Sequence, residues 1–365
     1  MATRHLVLAT ALVVLVVTGC IAQAPSASTS TPTDGKTPSA PATPGIPGNS
    51  AGPYVVSTFV SGKGNASEIG WVMGLVRDAS GNLYVADRNL NLIRKITPAG
   101  TVTTLAGWTG AGDSRGYLDG TGTAAKFHFP EGIALGADGN LYVADTYNHR
   151  IRKVSPEGVV TTFAGSTEAT AEGAAIGSIT EAKFKIPTTL AFGPDGHLYV
   201  SDWYGRIYKI ADGTVSYATP DWFFSPQGLA FTADGRMVVA DNVYDNLTLV
   251  NLSDQTKTVL AGGTRGYADG NGEQARFSGP SSVALDAEGN VYVVDGSNHM
   301  IRRVTPAGSV TTIAGSTPPG TTGFVNGDGA SALFNWPRAI VTDGSGGFFV
   351  TDTRNSAIRR LARTP

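Results

Sequence analysis

Six aspartates recur along the chain: Asp87, Asp145, Asp202, Asp241, Asp295 and Asp352. Intervals of 58, 57, 39, 54 and 57 residues separate them. A ring of carboxylates could hold a divalent cation or move protons. Each of these, however, closes an apolar run such as Leu141-Tyr142-Val143-Ala144-Asp145, and a group present in every repeat reads as a fixed hydrogen-bonding device. A second acidic set, Asp119, Asp269 and Asp328, lies in glycine-rich segments that invite a calcium reading. Calcium takes about six to eight oxygens, and each segment offers one or two carboxylates, so turn-forming Asp-Gly is expected. The histidines beyond residue 20 are His128, His149, His197 and His299; none stands beside a serine in a nucleophile motif. The basic pairs Arg94-Lys95, Arg152-Lys153, Arg302-Arg303 and Arg359-Arg360 are read as solvated strand residues. With a net charge of −2 and 15% charged residues, the chain shows no bulk signature of nucleic-acid binding.

The elements that must position these groups are legible in residues 129–165. Gly132-Ile133-Ala134-Leu135 leads into the turn Ala137-Asp138-Gly139-Asn140, whose Asp-Gly pair suits positive φ. Three more strand-like runs follow, Leu141 to Asp145, Arg150 to Val154 and Val159 to Phe163, separated by turn residues. One such meander is too small to bury a core alone, and five other segments carry the same signature. The 39-residue interval marks a missing insertion between the third and fourth repeats. Repeat six stops after its third strand, at Ala357-Ile358-Arg359-Arg360-Leu361, while 55–62 aligns with 159–165. The amino-terminal strand is therefore expected to complete the last repeat and close a ring. The fold class is all-β, a six-bladed β-propeller over 54–365.

Residues 1–20 read as an export signal. The largely apolar run from Leu6 to Val17 spans 12 residues, too short for a mature membrane span. Val17-Thr18-Gly19-Cys20 has the form of a lipobox, which makes Cys20, the single cysteine, the lipidation site. Of the 33 residues in 21–53, 27 are Ala, Pro, Ser, Thr or Gly, a composition that cannot bury enough apolar surface to order itself. Such a linker holds the next domain roughly 30 Å from a membrane. The expected location is the cell envelope, lipid-anchored and extracytoplasmic, either periplasmic or on the cell surface.

The glycine-led first strand, the Asp-Gly-Asn turn, Leu-Tyr-Val-Ala-Asp, and the segments Asn148-His149-Arg150-Ile151 and Asn298-His299-Met300-Ile301 together resemble the NHL repeat. The resemblance covers 55–361, six repeats, and implies a six-bladed propeller with no single activity attached. Four connections into first strands are long, 108–129, 166–186, 263–279 and 316–336, and are expected to crowd one face. Tyr117, Tyr267 and Phe324 recur in three of them as candidate contact aromatics, or as packing that seats the loops on the blades. By register, Met73, Glu131, Thr188, Gln227, Ser281 and Arg338 surround the channel mouth. Resemblance to propeller lactonases implies a divalent metal held there by several Asp, Asn and Glu side chains, and resemblance to amidating lyases implies a zinc on histidines. This chain offers Glu131, Gln227 and a repelling Arg338, so neither metal site is evident and no cofactor is expected. The reading is a monomeric, non-catalytic binding module for an envelope protein, peptide or glycan, held to the membrane through lipid on Cys20, with no nucleic-acid partner. The alternative is a metal-dependent lactonase or lyase working at the channel mouth.

Overall fold

The computed structural model describes residues 54–62, 69–166 and 175–364. The expected export signal, Cys20 and the expected linker lie outside the described residues.

Turn chemistry builds each repeat. The Gly136 amide donates to the Asn140 carbonyl (2.8 Å), and Gly139 takes φ 76°, a left-handed value that its missing Cβ permits. The Tyr142 hydroxyl donates to Asp138 Oδ2 (3.0 Å), clipping the turn to the strand that follows. Tyr84, Tyr199 and Tyr292 are tied to Asp78, Asp195 and Asp286 in the same way.

Six antiparallel blades result. Blade 1 comprises Val72–Arg77, Leu83–Asp87, Leu92–Ile96 and Val102–Ala106. Blade 2 comprises Pro130–Leu135, Leu141–Asp145, Arg150–Val154 and Val159–Ala164. Blade 3 is built from Pro187–Phe192, Leu198–Asp202, Ile207–Ala211 and Thr214–Tyr217, and blade 4 from Pro226–Phe231, Met237–Asp241, Asn246–Val250 and Lys257–Gly262. Blade 5 contains Pro280–Leu285, Val291–Asp295, Met300–Val304 and Ser309–Ala314. Blade 6 contains Pro337–Thr342, Phe348–Asp352, Ala357–Arg363 and, from the other end of the chain, Tyr54–Ser61.

Every second strand is buried along its whole length, because neighbouring blades cover both of its faces. The core is accordingly six apolar clusters, one at each blade junction. The innermost strands pack in a closed circle, that of blade 6 against that of blade 1. Tyr54–Ser61 seals the ring by pairing with Ala357–Arg363, Val56 standing opposite Leu361. The Thr353 hydroxyl adds a stitch from blade 6 to the Val72 carbonyl of blade 1 (2.7 Å).

Blades 2, 3, 5 and 6 carry a fifth, two-residue strand on their outer edge: Gly120–Thr121, Gly177–Ser178, Gly270–Asn271 and Gly327–Asp328. These come from the long connections, which the sequence placed on one face. They instead run down the outside of each blade as straps, since their backbones pair with the start of the fourth strand, at the end far from the mouth. The basic pairs need a second correction. Lys95, Lys153 and Arg303 are half-exposed and Arg360 is exposed, but Arg94, Arg152, Arg302 and Arg359 are buried. Adjacent strand residues point to opposite faces, so one member of each pair had to turn inward, toward the strap in blades 2, 5 and 6 and toward Thr104 in blade 1.

Candidate functional site

Three places on the ring hold groups able to bind or react: the straps, the channel mouth and the face surrounding that mouth.

In blade 2 the strap is anchored by Arg152. Its Nη1 donates to Asp145 Oδ2 (2.7 Å) and the Lys126 carbonyl (3.1 Å), and its Nη2 to the Leu118 carbonyl (3.0 Å) and Asp119 Oδ1 (2.6 Å). The guanidinium lies between the rings of Tyr117 (4.9 Å) and Phe127 (5.2 Å). Arg302 repeats this with Asp295, Asp269, Tyr267 and Phe277, and Arg359 with Asp352, Asn326, Phe324 and Phe334. The recurring blade aspartate is thus the inner partner of a buried arginine, and the strap Asp or Asn is the outer one. Asp328 sits one pairing away, in the edge strand opposite Val55. Tyr117, Tyr267 and Phe324 lie on the outer rim as lids over these arginines, with the Tyr117 hydroxyl 2.7 Å from Thr162 Oγ1.

The mouth residues are brought together. Met73, Glu131, Thr188, Gln227, Ser281 and Arg338 all line one cavity of ≈130 Å3 at the ring axis. Arg88 Nε donates to Glu131 Oε1 (2.8 Å), and Arg338 donates to Gln227 Oε1 (3.0 Å). Burial depresses the Arg338 guanidinium, while Glu131 pulls it back up. Among the described residues no group of three His, Cys, Asp or Glu side chains could hold a metal ion.

The residues preceding each first strand ring the mouth, and three of them take left-handed backbone that their side chains resist: Phe129 (φ 51°), Ile186 (φ 55°) and Trp336 (φ 55°). Each is latched by the preceding blade. Its amide donates to Asn91 Oδ1 (2.8 Å), His149 Nδ1 (3.2 Å) and His299 Nδ1 (3.0 Å) respectively. A histidine accepting at Nδ1 must be neutral there. Burial, with Arg354 beside it, holds the His299 pKa below the usual value. A depressed folded pKa means stability that is full above the unfolded value of about 6.5 and is lost as pH falls through the folded value. His299→Asn, which copies the Asn91 latch, is expected to abolish that loss. Between pH 7 and pH 5 the wild type should lose up to about 1 kcal/mol more stability than the variant, read by denaturant unfolding at each pH.

The mouth face also carries aromatics that sequence reasoning did not select. Trp203 and Tyr204 follow the second strand of blade 3, Trp222 and Phe224 precede blade 4, and Tyr244 follows its second strand. All five are between 45% and 58% exposed, and they line one cavity of ≈530 Å3 with Phe223, Ser225 and Val243. Blade 4 has no strap: only residues 218–225 separate Tyr217 from Pro226, which leaves the cleft open. The signal for it was the coincidence of two tryptophans with the missing insertion.

Six meanders closed by a shared strand, with a small axial cavity and an aromatic cleft beside it, define a six-bladed β-propeller. The propeller carries NHL repeats: the NHL repeat profile matches residues 127–154 and 277–303. It is 28% identical over 338 residues to NHL repeat-containing protein 2 of Bos taurus, covering 78% of this chain and 45% of that protein. The chain spans less than half the length of the curated relatives it matches. An auxiliary nutrient binding protein from Bacteroides thetaiotaomicron shares the fold with a TM-score of 0.64 at 19% identity, over 85% of this chain and 76% of that one. A gluconolactonase from Xanthomonas campestris does so with a TM-score of 0.58 at 16% identity, over 89% of this chain and 99% of that one.

Proposed function

We propose that this chain is an exported, lipid-anchored propeller that binds a ligand on its mouth face without transforming it. The observation that carries this reading is the concentration of large exposed aromatics beside the mouth, in a contiguous patch of the kind that marks a binding surface. The axial cavity supports it. Its one carboxylate is engaged by Arg88, and Arg338 beside it disfavours a cation, so the cavity suits hydrogen bonding to a ligand edge. The Bacteroides thetaiotaomicron neighbour is called a nutrient binding protein, and a comparable role on the outer side of a membrane is part of this proposal. An envelope protein, peptide or glycan is the class of partner.

Two measurements test the reading. Cys20→Ser is expected to move most of the protein from the membrane to the soluble fraction, because the lipid on that residue is the proposed anchor; equal membrane association of variant and wild type would sink the anchor. For the chemistry, the full chain is expected to leave a panel of lactones unhydrolysed with or without divalent metal. Metal-dependent turnover lost in Glu131→Gln would replace the binding reading with the lactonase.

A further inference from the structure

The cleft between blades 3 and 4 is a more organised structure than an exposed apolar patch. Both walls are set by the recurring blade aspartates, which here accept no hydrogen bond from an arginine guanidinium. Tyr208 and Thr248 stand where Arg152 stands in blade 2. Asp241 instead accepts four backbone amides, from Phe224 (2.7 Å), Ser225 (3.2 Å), Val243 (3.1 Å) and Tyr244 (3.1 Å). Asp202 accepts the amides of Tyr204 and Arg206 and the hydroxyl of Tyr208, each at 2.9 Å. The backbone beneath the aromatic rings is therefore fixed before any ligand arrives, which lowers the ordering cost of binding.

The polar edges of the rings are unused. Among the described residues, the hydroxyls of Tyr204 and Tyr244 and the indole N–H groups of Trp203 and Trp222 make no hydrogen bond within the protein. Exposed Asp221 adds a carboxylate at the rim. The fitting ligand thus has flat apolar faces and both donates and accepts hydrogen bonds around its perimeter.

Charge narrows the class further. Lys185, Arg206 and Lys257 face the rings of Tyr204 (3.8 Å), Trp222 (3.6 Å) and Phe223 (4.3 Å). Three carboxylates, Asp202, Asp221 and Asp241, balance these three cations. A cationic ligand would find Tyr204 and Trp222 already engaged by Lys185 and Arg206, and an anionic one would find no net positive charge.

A second cavity of ≈200 Å3 shares Trp222, Phe223 and Tyr244 and continues past Thr248 to Val259 on the edge of blade 4. The path from the mouth face over the strapless edge suits a ligand longer than one ring.

We propose that this cleft is a saccharide site. It takes an uncharged pyranose oligomer whose C–H faces stack on the exposed aromatics and whose hydroxyls meet the indole, phenol and Asp221 edges. The proposal rests on the reading of the chain as a binding propeller and names its ligand class. The test uses the full chain in mild detergent, titrated with uncharged gluco-, xylo- and manno-oligosaccharides and read by tryptophan fluorescence and calorimetry. At least one series is expected to bind, more tightly as length grows from two to about five rings. Trp222→Ala and Tyr244→Ala, both exposed and expected to leave the melting temperature within a few degrees of wild type, should each weaken that binding at least tenfold. Glu157→Gln, exposed in the turn between the third and fourth strands of blade 2 at the end far from the mouth, should change it less than threefold. Absence of binding to every oligosaccharide overturns the proposal, as does binding that both cleft variants retain. A proline-rich peptide bound in place of the sugars and lost in Trp222→Ala would overturn the ligand class while leaving the binding propeller standing.

Discussion

Removing residues 54–61 is expected to leave a chain that does not hold its ring at 37 °C. This one strand supplies the fourth position of blade 6 and pairs with both Ala357–Arg363 and the edge strand Gly327–Asp328. It buries Tyr54, Val56 and Val60. Burial of a large apolar side chain contributes about 1.5–3 kcal/mol, so these three account for roughly 5–9 kcal/mol before any hydrogen bond is counted. A folded domain has about 5–15 kcal/mol in total. Tyr54 and Val56 also sit in the cluster at the junction of blades 5 and 6 with Tyr292 and Phe348, so the loss reaches beyond one blade. Two sheet edges become open to aggregation. Deleting 21–50 instead should shift the melting temperature by less than about 2 °C. Thermal unfolding by circular dichroism compares the two deletions directly, and similar melting temperatures would mean that the two ends of the chain do not close the ring.

That closure was legible from repetition alone. Repeat six lacks a fourth strand and 55–62 has the pattern of one, so the offset pointed to a ring. The six axial residues were equally accessible, because strand register places the same position of each blade at the mouth. What repetition hid was burial. Arg152 and Lys153 look alike in sequence, yet the first is sealed beneath a strap that begins about 35 residues earlier. Asp119 reads locally as a turn former, and only the fold reveals that its carboxylate reaches Arg152. A co-occurrence did carry the information. The arginine and the Tyr/Phe-x-Asp/Asn strap motif occur together in blades 2, 5 and 6 and are both absent from blade 4, while Arg94 of the four-stranded blade 1 donates to Thr104 instead.

The aromatic cleft escaped for the opposite reason. Attention to what recurs selects structural devices, since each blade needs the same ones. Trp203, Tyr204, Trp222 and Phe224 occupy positions with no common side chain in the other blades, and Tyr244 stands where blades 2, 5 and 6 have Asn148, Asn298 and Asn355. In a repeat fold, the residues that break the pattern on one face are the better guide to a ligand, because a ligand breaks the symmetry of the ring.

The anchoring arginines also allow a decisive test of what holds a strap. Arg302→Met is expected to destabilise the propeller by about 3–5 kcal/mol, because it strands a carboxylate in a fully buried position. Burial already pushes the Asp295 carboxyl up to about 6, with Arg302 pulling against it. A raised folded pKa means that the stability this group contributes is full below the unfolded value of about 3.9 and falls as pH rises through about 6. At neutral pH the ionised carboxylate is therefore a cost that Arg302 offsets, and Asp295→Asn added to Arg302→Met should recover a large part of the loss. Stability is only half of the expected result. Arg302 also donates to the carbonyls of Ala268 (2.8 Å) and Arg276 (3.1 Å) and to Asp269, so both variants lose the strap's anchor. Arg302→Lys should fail likewise, since an ammonium cannot span the fork that those acceptors require. Limited proteolysis within 263–279 is expected to speed up at least tenfold in all three variants, whether or not global stability is restored. A double variant that regains stability but stays protease-sensitive would separate the two roles. Equal protease resistance in wild type and Arg302→Met would show that the edge pairing of Gly270–Asn271 with Ser309 and Val310 holds the strap without the arginine.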